Sequence, residues 1–212
     1  MKQFFRRVVN SETTFPMNSN IRPALLGIII AIAFIDGTIL FGYALENYSF
    51  VSQTLSEIGS MSSPLRLPFQ IFKVVIAVLI LLFAALVIKF AQKKKLSVVP
   101  GIFLICFGLS DLGLALFPTP HPLHNVFGLS LTLGYLSPLF FALLWSGEEY
   151  RSFKRASLIF FLLILVGIGL NLSPAFKPDL YPLQYYGLIQ RFLVYTMFVY
   201  LAYLGLSLRN HS

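Results

Sequence analysis

Apolar residues fall into six long runs separated by short polar stretches, at about 24–44, 69–91, 96–117, 125–146, 156–172 and 186–208. At about 1.5 Å of rise per residue, each run is long enough as a helix to cross roughly 30 Å of hydrocarbon. The punctuation agrees. Lys93-Lys94-Lys95 divides the second run from the third, and the charged segment Gly147-Glu148-Glu149-Tyr150-Arg151 divides the fourth from the fifth. The pattern predicts an all-α fold, a polytopic membrane bundle of six transmembrane helices in one domain over 24–208. The first run is too long for a signal-peptide core and is read as a retained helix.

The positions of the basic residues set an orientation. Of sixteen Lys and Arg, twelve lie before the first run, in the second connection together with Lys89 at the end of the second run, in the fourth connection, or after the sixth run. The other three connections carry only Arg66 and Lys177. By the positive-inside bias, both termini are expected in the cytoplasm. Residues 1–23 then form a cytoplasmic segment in which Phe4, Phe5, Val8 and Val9 alternate with bases and are expected at the inner leaflet, and 209–212 form a cytoplasmic tail. Trp145 and Tyr150 at the inner edge, and Tyr43, Tyr48, Tyr181, Tyr185 and Tyr186 at the outer edge, are expected as interfacial aromatic belts.

Composition changes this picture little: 57% of residues are hydrophobic and 11% charged, as in membrane proteins. The net charge of +8 is accounted for by topology and forms no patch or groove, so nucleic acid is excluded as a partner and membrane lipids are expected. Cys106 is the only cysteine, which excludes an intrachain disulfide, a cysteine zinc cluster and a CxxC redox pair.

What does change the picture is a set of charges inside the runs. Asp36, Lys73, Asp111 and Arg191 each interrupt a different span. A charge at the bilayer centre costs about 2.5–3.5 kcal/mol on insertion scales, so it is retained when it is paired, wetted or used. Counted from the span ends, all four stand roughly 8–11 Å below the outer interface. Gln70 and Gln190 join the same layer, with His121, His124 and Asn125 at the mouth of span four. The inner half of the spans is nearly bare of such groups, which predicts a polar cavity opening outward. Asp111–Arg191 is the expected ion pair, because arginine offers a carboxylate a planar fork. Lys73 is then expected to face Asp36 or Glu57. Polar clamps between helices are also common, and two ion pairs locking the bundle together would explain the same residues.

The loops add detail. The first outer connection, 45–68, is long, and within it Thr54-Leu55-Ser56-Glu57 has the spacing of a capping box, with Gly59 placed to end a short helix. Pro138 is expected to bend span four. Pro64-Leu65 and Pro182-Leu183 each precede a charge by nine positions, Lys73 and Arg191, which proline's preference for helix starts explains. His121 and His124 have a spacing that two metal ligands could use, but only one further histidine, His211, exists, so neither a metal nor a cofactor is expected. A hydrolase would use Ser56, Ser60 or Ser110 with His124 and an acid, although no Gly-x-Ser-x-Gly elbow is present.

Tyr48-Ser49, Ser56-Glu57-Ile58-Gly59, Phe117-Pro118, His124-Asn125 and Gly187-Leu188-Ile189-Gln190-Arg191 together resemble the bacterial and archaeal membrane family known as domain of unknown function family 998, over about 26–206. The resemblance implies a compact multi-helix protein of a prokaryotic cytoplasmic (inner) membrane, and a shared site for Glu57, His124 and Arg191. It supplies no substrate. The functional expectation is an outward-facing pocket binding an amphiphile or lipid headgroup through Arg191 and Lys73. Asp36, Asp111, Glu57, His124, Asn125 and Gln190 would line it, with Asp111, Glu57 and His124 as the candidates for catalysis. A lipid hydrolase or transferase, and a small proton-coupled carrier, are the other readings.

Overall fold

The computed structural model describes residues 21–145 and 147–210; the expected inner-leaflet segment within 1–20, and His211, lie outside them. The described residues are helical, with six helical stretches long and apolar enough to cross a membrane. The first is α1 (Ile21–Ala44), and a single turn, α2 (Leu55–Ile58), follows in the long loop. Then come α3 (Arg66–Lys93), α4 (Val99–Leu116), α5 (Pro122–Tyr135), α6 (Ser137–Leu144), α7 (Arg151–Phe176) and α8 (Tyr186–Asn210). The apolar runs therefore locate every span, and the helices extend a few residues past most of them because amphipathic ends continue the turn.

The helices form a ring. α1 packs on α8 and α3, α3 on α4, α4 on α5 and α6, α6 on α7, and α7 on α8. Small residues allow the tightest of these contacts. A Cβ on Gly27 would stand 2.5 Å from the Leu201 carbonyl oxygen, and one on Gly205 would stand 2.7 Å from that of Pro23. The same contacts put the start of α1 and the end of α8 at one end of the bundle. That end also carries Lys93, Lys94, Arg151, Lys154 and Arg155, and is called the basic end below; the other, bearing the loop 45–65, is the loop end.

Span four is divided, as expected from Pro138. Proline lacks the N–H that would bond to Gly134, and the helical hydrogen-bond pattern is interrupted by a turn at Leu136, between α5 and α6, where the dihedrals stay near helical values. The break has a consequence for the ring. α6 packs against α7 and closes the basic end, whereas α5 has no comparable contact with α7 or α8. The loop end is left with a lateral gap.

Trp145 and Tyr150 do not form an interfacial belt. They are 1% and 2% exposed; Trp145 packs with Phe141, Phe153 and Tyr150 inside the basic end. The indole Nε1 donates to the Ser97 carbonyl at 2.9 Å, so the polar tip is satisfied within the protein. Tyr43, 77% exposed, does stand on the outside of the bundle.

Candidate functional site

Beside the lateral gap lies a cavity of about 480 Å³. α3, α4, α5, α7 and α8 supply its walls, Phe34 of α1 contributes at its base, and Leu55, Ser56 and Gly59 of the α2 region roof it. Most of the wall is apolar. The polar side chains are Gln70, Lys73, Asp111, His124, Asn125, Thr132, Asn171 and Gln190, with the phenols of Tyr135 and Tyr186 and with Ser56 at the roof; Asn171 Nδ2 is buried without a hydrogen-bond partner among the described residues. This combination of apolar wall and few convergent polar groups is typical of small-molecule sites.

Lys73 on α3 forms an ion pair with Asp111 on α4 through Oδ1. Both are inside the bundle, Asp111 with a side chain only 4% exposed. The ammonium also lies 4.8 Å from the centroid of the Phe34 ring, a cation–π contact. The other carboxylate oxygen, Asp111 Oδ2, is buried and has no hydrogen-bond partner among the described residues. A buried acceptor without a donor is costly, and here it lies in a cavity wall. Gln70 donates from Nε2 to the Ala115 carbonyl at 3.0 Å, where α4 nears its end.

Arg191 is buried without an acid. Its Nη1 donates to the carbonyls of Phe50 and Gln53 at 2.8 Å and of Gly187 at 2.9 Å, and Nη2 donates to the Tyr48 hydroxyl. The rings of Tyr48 and Phe50 flank the guanidinium, with centroids 5.5 and 5.2 Å away. Burial pushes the Tyr48 phenol up from its ordinary value, while Arg191 pulls it the other way. The neutral hydroxyl accepts from Arg191 and donates to the Thr54 carbonyl at 2.7 Å. Gly187 lets the loop sit directly on the start of α8, since a Cβ there would be 2.9 Å from the Phe50 carbonyl oxygen.

The roof is fixed by several further bonds. Glu57 Oε1 accepts from the N–H and the hydroxyl of Thr54, both at 2.9 Å, and Oε2 accepts from Gln53 Nε2 at 3.0 Å. The expected capping box is present. Gly59 ends the turn, and its role is close approach, with Phe69 packed against it. The Leu55 N–H donates to Gln190 Oε1 at 2.7 Å. His124, in the first turn of α5, reaches the roof from the far side. Its Nδ1 is 2.8 Å from the Phe117 carbonyl and its Nε2 is 3.0 Å from Ser56 Oγ.

A family model described as "Protein of unknown function (DUF998)" matches residues 25–207, which reach into all six spans. The chain belongs to the DUF998 family. No curated protein and no solved structure matches it.

Within this DUF998 chain, several expectations about the site are corrected by the arrangement of the helices. Asp111 pairs with Lys73, not with Arg191. Arg191 and Glu57 are absent from the cavity wall: loop carbonyls and Tyr48 take the terminal nitrogens of Arg191, whose Nε is buried without a partner among the described residues, and the capping box takes Glu57. Asp36 is exposed on the outside of α1. Phe34 stacks on Phe198 and Thr38 bonds to Tyr195 at 2.8 Å, so these two take the inward face and the residue between them points away. His121 does not line this cavity either: it caps α5, its Nδ1 accepting from the Leu123 N–H at 3.2 Å. Among the described residues no three His, Cys, Asp or Glu side chains converge as metal ligands would. Of the residues read from the sequence, Ser56, Gln70, Lys73, Asp111, His124, Asn125 and Gln190 meet at the cavity.

Proposed function

We propose that this multi-pass protein binds a neutral amphiphile in the loop-end cavity, and that the loop end faces outward from a prokaryotic cytoplasmic membrane with both chain termini inside. The orientation rests on the positive-inside bias of the basic end. One observation carries the ligand reading: Asp111 Oδ2, buried and unpartnered, lies in the wall of a mostly apolar cavity that has a lateral gap toward the membrane.

The electrostatics support a neutral headgroup over an anionic one. Lys73 is neutralised by Asp111, and Arg191 is turned into the loop, so no free cation faces the cavity among the described residues. The free carboxylate oxygen calls for a donor, and the unpartnered Asn171 Nδ2 in the same wall calls for an acceptor, which a hydroxyl or amide group on the ligand provides. The apolar walls, including Leu114, Leu129 and Leu193, suit the first methylenes of a chain.

Gly128 offers the test. It lines the cavity, and a Cβ placed on it would meet nothing within 4 Å. Gly128→Trp is therefore expected to fill the cavity without strain, shifting the melting temperature by under about 4 °C, or about 1 kcal/mol. Native mass spectrometry of the wild type is expected to show a retained neutral lipid that the variant lacks. Equal retention by both would refute the reading.

A further inference from the structure

His124 has a defined tautomer, which follows from its neighbours. The Phe117 carbonyl can only accept, so His124 Nδ1 carries the proton across their 2.8 Å contact. In the neutral ring Nε2 is then the lone-pair nitrogen, and Ser56 Oγ–H donates to it across 3.0 Å. A serine hydroxyl hydrogen-bonded to a histidine whose opposite nitrogen is held by an oxygen acceptor is the geometry of an activated nucleophile.

We propose that Ser56 and His124 are a nucleophile and its general base, and that the cavity cleaves an acyl ester of the amphiphile it binds. The proposal rests on the binding reading above, since the substrate is the cavity's ligand. Its location supports it: both residues line the same cavity, with Asp111 and Lys73 deeper in the wall. The other serines weighed from the sequence lack a base. Ser110 is buried and donates to the Cys106 carbonyl at 2.8 Å, and Ser60 contacts only the Ser62 hydroxyl, at 3.3 Å.

Ser56 is also firmly held for a loop residue. It occupies the second position of α2, which the capping box, the Gln190–Leu55 bond and the Arg191 clamp fix to the bundle. Such rigidity is what a nucleophile requires.

The chemistry balances with water as the only co-reactant. Ser56 Oγ attacks the ester carbonyl carbon, its proton passes to His124 Nε2, and the carbonyl π electrons move onto oxygen. Collapse of that oxyanion breaks the carbon–oxygen bond to the alcohol, which leaves with the proton from His124. Water then attacks the acyl-Ser56 ester and gives a proton to His124. The carboxylic acid departs, and Ser56 recovers its hydrogen. Gln190 spares its Nε2 group, since only Oε1 is engaged by Leu55, and Asn125 stands on the same wall, so amide donors for the oxyanion are at hand. The third member is a carbonyl, not a carboxylate. It orients the ring but adds no negative charge to steady the imidazolium.

The test uses a long-chain fluorophosphonate on the purified full-length protein, read by intact mass and peptide mapping. The expected result is a single adduct on Ser56, absent in Ser56→Ala and reduced at least about tenfold in His124→Asn. Asparagine retains a donor toward the Phe117 carbonyl and removes the base, and a thermal melt of each variant checks that folding is intact. If His124→Asn does not fold, the Ser56→Ala comparison and the mapped adduct decide alone. Lipid retained by an unlabelled wild type overturns the catalytic proposal and leaves the binding reading standing. Neither lipid nor label refutes both, and an adduct on any other serine refutes the pair.

Discussion

Lys73 and Arg191 invite comparison, because each stands nine residues after the proline of a Pro-Leu pair and near the loop end of its helix. Lys73 faces a carboxylate in a cavity wall, and its charge is cancelled there. Arg191 faces no acid, and three carbonyls and a phenol share its donors. The first builds a polar wall for a cavity. The second holds the roof above it. A planar fork suits several backbone oxygens at once, whereas an ammonium on a flexible stem suits one strong acceptor. Two buried cations at similar depth thus serve different ends, and depth alone does not distinguish them.

The largest expected effect would come from breaking the Lys73–Asp111 pair on one side. Lys73→Met leaves a buried carboxylate uncompensated and is expected to destabilise the protein by about 3–5 kcal/mol. Lys73→Met with Asp111→Leu should recover most of that loss in a thermal melt yet fail to retain ligand. Recovery of both would make the pair a clamp only.

Arg191→Met is expected to cost less, about 2–3 kcal/mol, because the released carbonyls lie at the loop end and can be rehydrated. Its signature should be local. Limited proteolysis within 45–65 is expected to accelerate ahead of any change in the helices, and Arg191→Lys should give an intermediate rate. Unchanged cleavage would show that the roof does not depend on the clamp.

The smallest effect concerns Tyr48. Its phenol has a raised pKa in the folded protein, chiefly through burial. The stability tied to it is therefore fully present below the unfolded value near 10, and is lost as pH rises through the higher folded value. Tyr48→Phe should cost about 1 kcal/mol at neutral pH and lose this alkaline dependence. A melt series from pH 8 to 11 that is identical for both proteins would contradict it.

Much of the fold is legible in the sequence. Spans are set by transfer of apolar residues from water, which hydropathy captures, and the α2 turn is written in its Thr54–Glu57 box. The position of the charges along their helices is legible too, since it follows from counting residues. Their direction is not. A membrane helix is apolar on every side, so no amphipathic stripe tells whether Asp36 or Phe34 faces inward. Arg191 illustrates a second limit. Its partners are backbone carbonyls, which every residue possesses, so no residue type in the loop marks them. The Ser56–His124 pair was within reach as one of three serine options, and only the fold selects among them.

The divided span four has one more implication. With α6 packed on α7 and α5 not packed on α7 at the loop end, the binding proposal predicts entry from the plane of the membrane. The membrane is then the solvent in which binding must be measured. Occupancy would follow the mole fraction of ligand among the surrounding lipids, so an apparent affinity would vary with the lipid-to-protein ratio while the total concentration in the tube stayed the same.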